Sequence, residues 1–322
     1  MRARAVTAFL GLLLVASACR PARETAPAAE PTASGTAEPT SPPAVAAAPI
    51  VIRDAGFRTP ESVLYDDASD VFLVSNINGP EVEADGNGFI SRLDAEGKIL
   101  DLKWIDGSKS KYSLDAPKGM AFAGNVLYVA DITSVKTFDR QNGGALGRIA
   151  IPGSSFLNDL AAAPDGSVYA SDSGFKADNK GELQPDGNDA IYRITPDGKV
   201  ARVLKDKGLG NPNGLLADAE GAWVVTFGSG ELYRVTRDGR KDSARKLPSG
   251  QLDGIVRASD GSLLISSWEG NSVLRGAPGG TFTPVITGVA SPADIAYDGK
   301  RGRLWIPLFT KDAVEIHALA SP

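Results

Sequence analysis

From Ile50 onward the chain alternates apolar and polar positions in short runs rich in Val, Ile, Leu, Tyr and Trp, with glycine-containing turns between them. Typical runs are "SVYAS", "AIYRIT" and "KVARVL", the last two joined by Pro196-Asp197-Gly198. A period of two marks strands with one buried face, and Asp-Gly or Asn-Gly between such strands is the chemistry of a hairpin turn. No stretch carries the three-to-four spacing of an amphipathic helix, so the pattern predicts an all-β domain.

The runs group into a unit of four strands that recurs six times, starting near Glu61, Lys118, Asn158, Asn213, Asp253 and Asp294. In the third unit the strands read "DLAAAPDG", "SVYASDS", "AIYRITPDG" and "KVARVL". Repeats of this kind predict a six-bladed β-propeller with four-stranded blades around a central channel, occupying residues 50–322. The last unit supplies only three strands. The N-terminal "IVIRD", Ile50 to Asp54, is expected to complete it and so remove two unpaired edges. Two units carry insertions between their second and third strands, "NGPEVEADGNG" and "GFKADNKGELQPDGND". Both should rim the face where the inner strands begin. Neither keeps the spacing of a calcium loop, and both read as solvated turns.

One polar position recurs. Asn158, Asn213, Asp253 and Asp294 each stand eight residues before a glycine, Glu61 stands in the same register before Ser69, and Lys118 opens the unit with a shorter turn. In a propeller these six positions surround the channel mouth. Asn and Asp also favour turn-to-strand junctions, where their side chains bond nearby backbone, and that suffices for any one of them. Three carboxylates aimed at one axis with a single lysine need protons or a cation instead. Carboxylates and carboxamides without histidine or thiol form an oxygen-only site for a hard divalent ion: Ca²⁺ first, then Mg²⁺ or Mn²⁺, with Zn²⁺ a further alternative.

The ends of the chain carry a different message. Arg2 and Arg4, an apolar run and Ala16-Ser17-Ala18 read as a secretory signal over residues 1–18. Cys19, the sole cysteine, follows directly and resembles the acylated cysteine of a bacterial lipoprotein; ordinary cleavage after Ala18 is the alternative. Residues 19–49 then form a lipidated cysteine and a Pro/Ala/Thr-rich linker too poor in apolar side chains to fold. The expected location is the periplasm, anchored to the outer membrane because Arg20 follows the cysteine, or else soluble there or secreted. The lipid is the only membrane contact expected. A net charge of −5 without a basic run excludes nucleic acid as a partner, and a monomer is expected.

At the recurring polar positions the chain resembles the gluconolactonase/regucalcin (senescence-marker-protein) family of six-bladed propellers. The resemblance rests on "PESVLYD" with Glu61, "LNDLAAAPDG" with Asn158, "NPNGLLAD" with Asn213 and "LDGIVRASDG" with Asp253. It implies that Glu61, Asn213 and Asp253 hold a divalent metal, with Asn158 at the metal or the substrate. It also implies hydrolysis of a lactone or related ester, with Asp253 as the base that activates water. The sugar-lactonases of the family carry an arginine two residues before the asparagine. Here that residue is Phe156, which favours a less polar substrate.

Asn158 and Lys118 are candidates to steady developing negative charge, and Phe156 and Asp294 to touch the substrate. A Ser-His-Asp triad would have to use His317, the only histidine, in the last strand of the last unit. Two functions follow: a metal-dependent lactone or ester hydrolase, or a non-catalytic periplasmic binding or scaffold propeller stiffened by a structural metal.

Overall fold

The computed structural model describes residues 48–319, so the signal, Cys19 and nearly all of the linker lie outside the described residues. Six four-stranded antiparallel sheets follow one another in sequence, with one small two-stranded ribbon, Phe175–Ala177 with Leu183–Pro185, added in the third blade. Among the described residues there is no α-helix, and two single turns of 3₁₀ helix occur. The expected closure is present. Ile50–Ile52 pairs antiparallel with the last strand of the sixth blade, Ile50 facing Ile316 and Ile52 facing Val314. The closing strand is thus shorter than the Ile50 to Asp54 read from the pattern.

Strand position in a blade decides what each run buries. Second strands such as Val71–Asn76 are covered on both faces and are buried along their whole length, whereas fourth strands such as Lys241–Lys246 are charged and mostly exposed. Contacts between blades form the core. At the seam of the first and last blades Phe72 lies between Tyr65 and Trp305, with ring centroids at 4.6 and 3.8 Å. Parallel stacking of three large rings seals the joint where the ring of blades closes.

The inner strands share a local irregularity. In the first five blades the pairing of the inner strand with the second strand shifts register, between Pro60 and Val63, Pro117 and Met120, Leu157 and Leu160, Pro212 and Leu215, and Leu252 and Ile255. A bulge adds a residue to one strand and turns a side chain out of its normal alternation. The bulges fall at Glu61, Lys118, Asn158, Asn213 and Asp253. The recurring polar residue is therefore the bulge residue, swung from the blade faces toward the channel.

The chain pays for each bulge with an amide that the ladder no longer satisfies, and serine hydroxyls on the second strands take up three of them. The amides of Ser62, Asp159 and Gly254 donate to the Oγ atoms of Ser75, Ser171 and Ser266 at 2.9, 2.9 and 2.7 Å. Close approach of neighbouring inner strands is a second requirement. A Cβ on Gly214 would lie 2.2 Å from the carbonyl oxygen of Asp253, and one on Gly254 would lie 2.6 Å from the amide of Ile295. Only glycine fits where two backbones meet in this way.

Candidate functional site

A cavity of about 300 Å³ opens at the mouth of the channel where the inner strands begin. Glu61, Lys118, Asn158, Asn213 and Asp253 line it together, as does Phe156. All six are buried. Five of the six ring positions, drawn from five blades, thus meet in one space.

Asp294 stands elsewhere. Pro292 pairs with Leu308 in the sixth blade as Pro60 pairs with Asn76 in the first, so Ala293 occupies the position of Glu61. Asp294 is level with Ser62, whose Oγ donates to it at 2.6 Å. Counting back from Gly302 misplaces it because this hairpin is one residue longer than those of the third and fifth blades, where Leu157 faces Asp172 and Leu252 faces Ser267. The mouth therefore holds two carboxylates, two carboxamides and a lysine, while Asp294 and Asp159 form a second layer below it, lining the far side of the channel.

Three oxygens at the mouth are buried without any hydrogen-bond partner: Glu61 Oε2, Asn213 Oδ1 and Asp253 Oδ1. An unsatisfied buried acceptor costs about 1–3 kcal/mol, more if charged, and three lining one cavity call for a donor or a cation. Asn158 supplies a fourth oxygen. Its Nδ2 donates to Ser173 Oγ at 3.1 Å, and that hydroxyl spends its own proton on the carbonyl of Pro212 at 2.7 Å. The hydroxyl can then only accept from Asn158, which settles which end of the amide is the nitrogen. Two carboxylates and two carboxamide oxygens suit a hard divalent ion. Among the described residues no three His, Cys, Asp or Glu side chains gather into a metal-holding group, so a cation here would depend on the carboxamides.

Burial and crowding shift the acids upward. Glu61 is raised well above the usual carboxylate range by desolvation, then by Asp253 and Asp294, with Lys118 opposing. Asp253 is raised by desolvation and then by Asp294. Asp294 itself is pushed up to about 7 by its burial. Lys118 is lowered by desolvation, with Glu61 the largest opposing influence. Its Nζ donates to the carbonyls of Glu81 and Ala116 at 2.9 and 3.2 Å and sits 4.4 Å from the ring centre of Phe156. An ammonium group has three donors, so one stays available.

Of the remaining lining, only Trp268, beside a loop that could reach the pocket, was legible in the sequence. Ile77, Phe227, Trp268 and Phe309 complete the wall, together with Phe175 and Leu183 from the ribbon and Glu81 from the first insertion. The two insertions, expected to rim this face, each contribute residues to the cavity. Ile77, Phe227, Trp268 and Phe309 follow the last residue of the second strand in their own blades. That constant position is the signal by which they could have been found. His317 is remote from this cavity, on the closing blade, with Nε2 2.8 Å from Glu315 Oε2.

A six-bladed propeller with an oxygen-lined pocket at one mouth is the class that fold and cavity define. The description of the SMP-30/Gluconolactonase/LRE-like region matches residues 59–308, and the chain belongs to that family. Among curated proteins it is 29% identical over 158 residues to a virginiamycin B lyase of Nocardia farcinica, a match that covers 49% of this chain and 50% of the lyase. The chain thus spans about half the length of that relative. Among solved structures it is similar to a gluconolactonase from Xanthomonas campestris, with a TM-score of 0.62 at 20% identity over 88% of this chain and 99% of the other. It is also similar to a catalytically inactive histidine-to-alanine variant of a Staphylococcus aureus virginiamycin B lyase solved with quinupristin. There the TM-score is 0.56 at 16% identity, over 85% of this chain and 99% of the other. At these identities the structural likeness shows the fold alone.

Proposed function

We propose that this protein is a divalent-cation-dependent hydrolase of a lactone or related ester. One observation carries the reading: the buried, unpartnered oxygens of Glu61, Asn213 and Asp253 all face the cavity that Lys118 and Asn158 share. Glu61, Asn158, Asn213 and Asp253 would hold the cation, Ca²⁺ before Mg²⁺, Mn²⁺ or Zn²⁺. When bound, such an ion supplies Lewis acidity toward the ester carbonyl and the attacking water.

The chain's own residues account for the rest. Asp253, which faces the cavity beside Glu61 and Asn213, is placed to take a proton from the attacking water. The free donor of Lys118 suits the oxygen on which negative charge develops as the carbonyl is attacked. Asn158 serves better as an acceptor than in the charge-steadying role its position first suggests, because Ser173 holds one of its amide protons. The hydrophobic wall excludes bulk water from these groups.

A lyase reading gains less support. The solved lyase lost activity on replacement of a histidine, and the one histidine here is bonded to Glu315 on the closing blade. Chelated protein should fail to hydrolyse a panel of lactones and esters and regain turnover as metals are added back singly. Turnover indifferent to metal would refute the cation. Metal binding and stabilisation without turnover of any ester would leave the scaffold propeller instead. Export and acylation at Cys19 belong to the same proposal. A Cys19→Ser chain should lose fatty-acid labelling and membrane association, and a wholly soluble wild-type protein would contradict the anchor.

A further inference from the structure

We infer that the substrate carries an apolar alkyl or aryl group and no array of hydroxyls; this rests on the lactonase reading and deepens it. Apart from Glu81 on the first insertion, the polar side chains of the cavity lie in one layer, the bulge layer of the inner strands. Above it stands a second ring set by equivalent backbone positions. The amides of Ile77, Phe227, Trp268 and Phe309 donate to the carbonyls of Thr59, Asn211, Gln251 and Ser291 at 3.0–3.1 Å. Each of those acceptors sits two residues before a bulge position. Four blades thus place an apolar side chain at one height over the polar floor.

The third blade fills its own sector differently. Its equivalent residue is Ser173, spent on Asn158, and the ribbon supplies the apolar surface. Phe175 and Leu183 alternate along the ribbon with exposed Lys176, Glu182 and Gln184 and line the cavity. The aromatic rings brace one another. Phe227 and Trp268 meet edge to face at 5.5 Å, and Trp268 and Phe309 lie at 5.2 Å. Phe175, Phe227, Trp268 and Phe309 are each half-buried, with surface still to cover.

Apart from the Glu81 carboxylate, this wall has little with which to bind hydroxyls. Its one side-chain donor above the floor is Trp268 Nε1, buried and without a partner. Phe156 adds a further apolar ring, packed edge to face on Phe175 at 5.7 Å. A polyhydroxylated ring would lose its hydration against this surface without replacement. An alkyl or aryl substituent would gain from burial, and its single carbonyl head would meet the polar floor. At about 300 Å³ the cavity lies at the small end for ligand sites.

Binding can be separated from turnover with lactams, which the site would hold but not readily open. γ-Lactams bearing unbranched alkyl chains of increasing length, and a polyhydroxylated δ-lactam, are titrated into the metal-loaded full chain by tryptophan fluorescence and calorimetry. The matching lactones are assayed in parallel. Affinity should rise about three- to fourfold per added methylene until the cavity is full, while the polyhydroxylated ring binds at least tenfold more weakly than the longest chain. Phe227→Ser and Phe309→Ser should flatten this dependence, and Phe227→Leu should keep most of it. Flat affinity along the series, or preference for the polyhydroxylated lactam, overturns the inference even if lactones are hydrolysed. Chain-length-dependent lactam binding without hydrolysis supports the ligand class and sinks only the hydrolase reading.

Discussion

The two mouths of the central channel are lined by the same six inner strands, yet their buried acids live under different rules. At the upper mouth Glu61 and Asp253 present oxygens with no partner. At the lower side Asp159 accepts from the amides of Leu160 and Leu215, each at 2.6 Å, and Asp294 accepts from Ser62 Oγ. The lower cavity, about 540 Å³, is otherwise walled largely by the apolar backs of the inner strands, Val63, Met120, Leu160, Leu215, Ile255 and Ile295 among them. Burial of a carboxylate therefore does not by itself mark a site here. An oxygen bonded to the fold's own amides is spent on structure, whereas one left bare toward a cavity is open to a ligand.

The comparison breaks most readily at cation affinity. Asp253→Ala should weaken binding by more than about 100-fold in calorimetric titration, since even partners behind a ligand are worth 10–100-fold. Asp294→Asn, lacking a bare oxygen at the mouth, should change it by less than about tenfold. Equal losses would erase the distinction between the two layers.

Stability of the chelated protein should show the reverse order. Asp159→Ala strands two buried amides and should cost about 2–5 kcal/mol in a denaturant melt. Asp253→Ala removes a crowded, unpartnered acid and should be neutral or slightly stabilising. A large loss for Asp253→Ala would make it a structural cap and remove the main support for the site.

A smaller effect follows from pH. Each raised acid holds a proton in the folded state over a range where the unfolded chain has released it, from about 4 up to about 7 for Asp294. Stability of the chelated protein should therefore fall as pH rises through that window, with a melting temperature several degrees higher at pH 5 than at pH 8. Saturating cation favours the ionised acids and should flatten or reverse the trend. A chelated melt that rises with pH would mean these acids are ionised in the folded state.

The smallest expected effect is at Ser173. Ser173→Ala frees the amide of Asn158 to flip, and turnover should drop a few-fold with little change in melting temperature. No change in either would mean that Asn158 needs no orienting partner.

What the sequence determined by itself is what repeats locally. Alternation with Asp-Gly turns specified strands, four strands per unit specified blades, and a polar residue at the head of each inner strand, at a constant distance from the turn in all but the unit of Lys118, located Glu61, Lys118, Asn158, Asn213 and Asp253. Each is fixed within its own unit by a bulge a few residues from a hairpin, so pattern alone suffices to find it. Tertiary structure decided the rest. In the sixth blade the mouth position falls on Ala293, and a hairpin one residue longer than those of the third and fifth blades makes a count from Gly302 land on Asp294 instead, a difference set by cross-strand register. Ribbon pairing turned Phe175 and Leu183 inward from a segment whose composition reads as solvated. Phe227, Trp268 and Phe309 became one surface only because closing the ring of blades brings residues some forty positions apart to a common axis, and convergence of that kind is a property of the closed ring.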